Sequence, residues 1–356
     1  MREMEFAIVF AQAQATAQQG GSLAMAVKKG HLKQRGGSHV EDGTDAMPPG
    51  APDLRAMLAK GVPKILLRLA FILLTHNELN TWGDLDAVEY FAGCRCITFA
   101  MRALGYRAMP FELNLSRRMN MESDIGFALA IMMLLRLEAR GLLWMAPVCS
   151  SWVWMNLGTS KRNKIAIFGD CDYHYVRAAN LQVARVCLLL EWACAMGIYW
   201  ALEQPISSLL EFHPRYQALL AKHLVYVFTV ELGAYGANSL KRIKIYTNAK
   251  WLCELGTATV PRGTTFLNSG TVAIKYVDSK GETKVKGGPD LRATQAYPPR
   301  FGIAIAALYA QNARPAEHAS ACTETRSQLR KVLKMSSQDD AWEDANLAGV
   351  FTYLRT

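Results

Sequence analysis

The chain has no stretch that reaches the roughly 18 uncharged apolar residues a membrane-spanning helix needs. Its two most apolar runs, residues 65–74 and 186–201, are interrupted by Arg68 and Glu191. Both are expected as buried helices, and no membrane partner is expected. Also missing is the charged start, apolar core and small-residue cleavage site of a secretory signal peptide. Glu3, Glu5 and the scarcity of Arg argue against a transit peptide in the Ala- and Gln-rich residues 10–19. Eight cysteines scattered along such a chain imply a reducing, intracellular setting. Their spacing is not that of a zinc site: Cys94-x-Cys96 and Cys171-x2-His174 match neither a knuckle nor a ribbon, and no metal is expected. Acid is the scarcer charge, 30 Asp and Glu against 40 Lys and Arg, leaving +10 and an isoelectric point near 9.2. That balance points to polyanionic partners and says nothing about fold. No internal repeat stands out.

What is present is a globular composition: 356 residues, 51% hydrophobic, mean hydropathy +0.04, enough to bury one large core or two modest ones. Residues 1–52 are rich in Gln, Gly and Lys and end in Pro48-Pro49-Gly50-Ala51-Pro52, which reads as a flexible extension with a stiff boundary. Over 53–76, apolar positions at helical spacing, broken around Gly61-Val62-Pro63, predict two linked helices. From 86 to 247, short β-prone runs alternate with longer helical ones, the pattern of parallel strands joined by helices. Strands are predicted at 88–91, 107–111, 142–145, 198–202, 226–232 and 244–247. Helices are predicted at 97–104, 124–139, 175–196 and 208–222. The last two strands are joined too closely for a helical crossover, so they should pair antiparallel. The expected fold is α/β, a Rossmann-like sheet over 53–311, mostly parallel with a terminal antiparallel hairpin. Residues 249–296 gain Gly, Thr and Lys and read as a small irregular or β-rich insertion. A helix should follow Tyr297, with proline in its first turn, and 312–356 should form a peripheral tail.

Three strand ends carry the candidate chemistry. In Glu89-Tyr90-Phe91-Ala92-Gly93-Cys94-Arg95-Cys96 a strand runs into a tight turn at Gly93 that opens a helix. Nineteen residues later Glu112 ends the next strand, a spacing that suits an acid bonded to ribose hydroxyls. Arg95 and Cys96 stand where later glycines would cradle a pyrophosphate, so a cofactor without phosphates, such as S-adenosyl-L-methionine, fits better. The alternative is a structural turn beside a surface acid. Cys149 follows a predicted buried strand in Ala146-Pro147-Val148-Cys149-Ser150-Ser151-Trp152. The amides of the next turn are expected to lower its thiol pKa and make it a nucleophile, against the alternative of an inert cysteine. Glu203, in Leu202-Glu203-Gln204-Pro205, sits among apolar residues that should raise its pKa and let it donate a proton to a ring nitrogen. A helix-capping acid is the other reading.

In that order these residues resemble the C5-cytosine DNA methyltransferases, especially their short phage-type members. Phe91-Ala92-Gly93 looks like the family's Phe-Ala-Gly cofactor loop, Pro147-Val148-Cys149 like its Pro-Pro-Cys loop, and Glu203-Gln204-Pro205 like its Glu-Asn-Val motif. The resemblance runs on through Tyr235-Gly236, Lys241 and Ile245-Tyr246-Thr247-Asn248 to Tyr297-Pro298, covering roughly residues 86–310. It implies a class I methyltransferase sheet, a cofactor held by Phe91, Ala92, Gly93, Glu112 and Pro147, Cys149 adding to C6 of a cytosine and Glu203 protonating N3. It also implies a nucleic-acid partner, DNA before RNA, and an intracellular enzyme with the nucleus preferred. Ser150, Ser151 and Trp152 would lie near the base, with Trp152 and Trp154 available to stack on it, although the period-two spacing of the two tryptophans fits core packing at least as well. Arg162 and Arg177 would come from a loop closing over it, and Lys241 and Arg242 would hold phosphate. The chain departs from the family in its single loop glycine, in Val148 and Gln204, and in a third strand hard to place between 113 and 123. Only about fifty residues separate Asn248 from Tyr297, little room for a sequence-reading region. Two other classes compete: a non-catalytic nucleic-acid-binding or scaffold protein on a degenerate version of this fold, and a methyltransferase with RNA or another acceptor.

Overall fold

The computed structural model describes residues 54–75, 83–266, 273–277, 279, 281, 283–287, 291, 293–312 and 344–350. The N-terminal extension and most of the tail lie outside them. Helices α1 (Leu54–Ala59) and α2 (Lys64–Thr75) are the expected linked pair, divided where Gly61 and Pro63 interrupt the backbone ladder. A six-stranded sheet follows, built from β1 (Leu85–Tyr90), β2 (Ala108–Phe111), β3 (Leu137–Met145), β4 (Tyr199–Pro205), β5 (Tyr226–Glu231) and β6 (Arg242–Thr247). Their order across the sheet is β2-β1-β3-β4-β6-β5. The first four are parallel to their neighbours, and β6 runs antiparallel to both β4 and β5. The architecture is therefore α/β with a mostly parallel mixed sheet compatible with a Rossmann-like fold, and the terminal antiparallel pairing is as expected.

Helices cover both faces, which is why the central strands read as unbroken apolar runs. Successive side chains still alternate between two cores. Val88, Tyr90, Leu143, Met145, Trp200 and Leu202 pack on one side with α2, α4 (Asp124–Leu135) and α6 (His174–Met196). Ala87, Leu142, Trp144 and Ala201 pack on the other with α3 (Cys96–Ala103) and α8 (Pro299–Asn312). By length and composition α6 could cross a bilayer, but 78% of its most apolar window is buried inside the protein.

Three differences from expectation have physical causes, and the segment 113–123, where no strand could be placed from the sequence, indeed holds none, only a 3-10 turn at Arg117–Met119. The predicted helix over 124–139 stops at Leu135, because Leu137 is drawn into pairing with Leu85 and the chain continues as β3. The predicted helix over 208–222 is split: a 3-10 turn at Leu210–Phe212 precedes α7 (Pro214–Lys222), since Pro214 lacks the amide an interior position needs and sits instead in the first turn. Finally, the tail is anchored, with Ala345, Leu347 and Val350 buried in the first core.

The insertion at 249–296 forms a 3-10 stretch (Lys250–Thr257) and an antiparallel hairpin of β7 (Ala273–Val277) and β8 (Thr283–Gly287). The hairpin lies against the Trp154–Asn156 turn that follows the Cys149 loop.

Candidate active site

Strands β1, β3 and β4 are parallel neighbours, so their carboxyl ends deliver the Gly93 turn, the Cys149 loop and the Glu203 segment to one edge of the sheet. After β1 the backbone turns sharply: Phe91, Gly93 and Arg95 all have positive φ, of 56°, 48° and 61°. Glycine is the natural occupant of such a conformation, and the space around Gly93 is open, with no atom within 4 Å of where a side chain would begin. The amides of Phe91 and Ala92 are tied to the carbonyl of Phe111 at the end of β2. Glu112, almost buried, accepts bonds from the Gly93 amide at 2.9 Å and the Asn114 amide at 3.0 Å. It braces the turn, and each of its oxygens keeps a second lone pair for a hydroxyl. An open glycine turn over an oriented carboxylate fits a ribose.

The Cys149 loop is clamped from two directions. The carbonyl of buried Pro147 accepts a 2.7 Å bond from Gln204 Nε2, and the amide of Val148 donates a 3.0 Å bond to Gln182 Oε1 on α6. One peptide bond is thus held at both polar atoms by side-chain amides, one of them from the residue beside Glu203. Gln204 is in turn fixed by Ser208, whose hydroxyl donates to its Oε1 at 2.8 Å. Beyond the half-buried Cys149 the chain turns, with Trp152 donating its amide to the Cys149 carbonyl at 2.8 Å.

Glu203 follows Ala201 onto the face of the sheet covered by α8, and its carboxyl meets the hydroxyl of Tyr297 just before that helix. Tyr297 also accepts a 3.4 Å bond from Trp144 Nε1, completing a chain from Trp144 through Tyr297 to Glu203. Glu203 is buried, and its Oε1 has no hydrogen-bond partner. Burial pushes its pKa up, with the Lys241 charge and the Tyr297 bond pulling the other way. The same groups act on the sulfur: burial raises the Cys149 pKa, the charge of Glu203 raises it further, and Lys241 lowers it. Cys149, Glu203 and Lys241 therefore lie within electrostatic reach of one another. The expected depression of the thiol pKa is corrected here. Burial outweighs the single backbone amide, its own, that favours the thiolate, and the charge of Glu203 adds to the rise.

Other expected site residues separate into two groups. Arg177 is exposed, its Nη1 donating to the carbonyls of Cys171 and Asp172. Ser150 is exposed, with its carbonyl bonded by Asn156. Arg242 is exposed and paired with Glu231 across the β5–β6 ladder at 2.9 Å, on the outer edge of the sheet. Trp152, Ser151 and Arg162 face inward, and their expected contact with a base is corrected. Arg162 lies 3.6 Å above the Trp152 ring, bonds Ser151 Oγ, Asn180 Oδ1 and the carbonyls of Ile167 and Val176, and is buried with them. It pins the loop to the domain and leaves Trp154, half-exposed, as the outward tryptophan.

A cavity of about 210 Å³ lies next to the pair, lined in part by Asn238, Ser239, Lys241, Tyr297 and Pro298. Neither Cys149 nor Glu203 lines it, but Lys241 and Tyr297, which both act on Glu203, do. Tyr297 and the clamping Gln182 were not among the residues expected in the site. Tyr297 was legible only as part of a motif, and nothing in α6 marked Gln182 apart from other polar helix positions. No protein-family model matches the chain, and no curated protein matches it.

Proposed function

We propose that this protein is a methyltransferase of the class I sheet type that uses S-adenosyl-L-methionine to methylate C5 of cytosine in nucleic acid. The observation that carries the reading is that Cys149, in the loop after β3, and Glu203, within β4, lie within electrostatic reach of each other and of Lys241, with one carboxyl oxygen of Glu203 buried and unpartnered. Gly93, with Phe91 and Ala92, shapes the turn over which the cofactor lies, and Glu112 accepts from its ribose hydroxyls. When bound, the cofactor supplies an electrophilic methyl group. Cys149 loses its proton to water, and its sulfur bonds to C6 of the ring. The electron pair displaced from the C5–C6 bond is drawn toward N3, which takes the proton of Glu203. A neutral, buried Glu203 is suited to that donation, and Lys241 offsets the carboxylate it leaves. C5 would then take the methyl group as that group's bond to the sulfonium sulfur breaks, the bonding pair leaving on sulfur in the neutral thioether S-adenosyl-L-homocysteine. Loss of the C5 proton to water expels the Cys149 sulfur and returns the proton from N3 to Glu203.

A cytosine bearing fluorine at C5 has no proton to lose there, so the adduct should persist. The protein is expected to form a covalent complex with a 5-fluorocytosine oligonucleotide in the presence of the cofactor, detected as a mass increase. Cys149→Ala should abolish it, and a complex formed by that variant would remove Cys149 from its role. If Cys149→Ser methylates normally, the acceptor is a different one.

The bracing of the Gly93 turn by Glu112 favours a second reading, a binding protein that has kept the fold and lost the reaction. Calorimetry separates the two, since a folded protein that releases no heat with the cofactor is not a methyltransferase.

A further inference from the structure

We propose that the cleft accepts unpaired, single-stranded nucleic acid in preference to a duplex. This deepens the reading above by naming the substrate class of the same site, and it rests on that reading for its chemistry.

The rim around Cys149 is apolar and aromatic to an unusual degree for solvent-facing surface. Val148 is 53% exposed, Trp154 53%, Tyr173 46% and Tyr175 38%. Apolar side chains scattered singly over a surface are ordinary, but a group of them at one cleft marks a contact surface. They form one continuous edge. Tyr173 and Tyr175 have ring centroids 5.9 Å apart, and the Tyr175 hydroxyl donates to Thr159 Oγ1. Thr159 bonds the carbonyl of Asn156 in the turn that carries Trp154. Tyr175 is therefore held with its ring presented, at little further entropy cost on stacking.

Cations are interleaved with these rings. Lys161 and Lys164 project from the same loop, Lys164 over the Phe212 ring at 4.8 Å, and Arg177 stands one turn into α6. None of the three forms an ion pair among the described residues; the acids nearby are Asp170 and Asp172 in the same segment and Glu211, whose charge Lys164 feels. Aromatic faces alternating with cations form a platform for splayed bases and their phosphates.

Reading a duplex requires an element free to enter a major groove about 12 Å wide, a helix or a two-stranded ribbon. Between β6 and α8 the ribbon among the described residues is the β7–β8 hairpin, and it is engaged with the Trp154–Asn156 turn. In that position it borders the platform, with exposed Lys275 on it, and among the described residues of this segment there is no second ribbon to enter a groove. Unpaired cytosine also needs no extraction from a base stack.

The test uses the full chain with 5-fluorocytosine oligonucleotides of one sequence, single-stranded and duplex, as DNA and as RNA. Covalent capture is read by mass and affinity by fluorescence anisotropy. Tighter binding and faster capture of either single strand than of its duplex, by tenfold or more, supports the proposal, and the DNA and RNA arms show which sugar the platform takes. Trp154→Ala and Tyr175→Ala, each checked for folding by circular dichroism, should weaken single-strand binding about tenfold each. Equal or better capture of the duplex overturns the proposal while leaving the methyltransferase reading intact. Single strands bound preferentially but never captured or methylated overturn that reading and leave the platform. Binding of neither form overturns both.

Discussion

The proton of Glu203 is governed by burial and by two groups that can be changed one at a time. Burial raises its pKa, and Lys241 and the Tyr297 hydroxyl lower it. Tyr297→Phe removes a bond that favours the carboxylate, so the pKa of Glu203 should rise further and the carboxyl should lose its proton at higher pH than in the parent. The infrared carbonyl band of the protonated acid, identified by its absence in Glu203→Gln, follows this directly. A band that vanishes at the same pH in both proteins would mean that Tyr297 does not act on Glu203. The sequence made Cys149 and Glu203 legible because a polar residue at the end of an apolar strand run contributes little to packing. It could not show that Tyr297 meets Glu203, a contact made by packing α8 on the sheet. It also misled at Trp152 and Arg162, since a tryptophan and an arginine in a loop look alike whether they face a ligand or stack on each other inside.

The helix α3 depends on a residue outside it. No side chain caps it at Arg95; instead Glu89, from β1, accepts from the amides of Ile97 and Thr98 and from the Thr98 hydroxyl. A carboxylate at that end meets the unsatisfied amides and the positive pole of the helix. Burial nevertheless raises Glu89 from the usual 4.5 to about 7, against those bonds and the charge of Arg95. Between these pH values the folded chain keeps a proton that the unfolded chain has released, so stability is highest below the lower one and falls as pH rises through the window. The loss corresponds to about 3 kcal/mol at 1.36 kcal/mol per pH unit. Urea unfolding across this range should show a flatter dependence for Glu89→Gln than for the parent. Where α3 crosses α8, a side chain on Gly302 would begin 2.7 Å from both the carbonyl oxygen and the sulfur of Cys96. Gly302→Ala should therefore cost about 1–3 kcal/mol in the same assay, by forcing apart the two helices behind the Gly93 turn. The element types were readable from periodicity, and the boundaries were not. Leu137 belongs to a strand only because Leu85 is there to pair with it. Pro214, by contrast, was a stop signal in plain view.

At the scale of the whole molecule, one buried cation ties separate parts of the chain together, less than a turn along α6 from the Gln182 that clamps the Cys149 loop. Arg185, in the middle of α6 and fully buried, stacks over Phe127 and donates to the carbonyls of Met121, Ser123, Ala345 and Asn346 and to the Asp124 carboxylate. Composition predicted a core but gave no sign that one of its members would be a cation whose acceptors come from the tail. Removing residues from Asp344 onward should leave that guanidinium short of two partners and uncover the positions of Leu347 and Val350. A loss of about 3–5 kcal/mol is expected in urea unfolding. A truncated chain as stable as the full one would show that the tail is dispensable.

The two late acceptors are 160 and 161 residues downstream of Arg185. At about 5–20 residues per second, a ribosome needs roughly ten to thirty seconds to make that stretch. During all of it Arg185 has its upstream acceptors at Met121, Ser123 and Asp124 but lacks the two carbonyls that complete the set. The central helix therefore reaches its full set of bonds only after residue 346 has been synthesised, so its final docking is a post-translational event relative to its own synthesis.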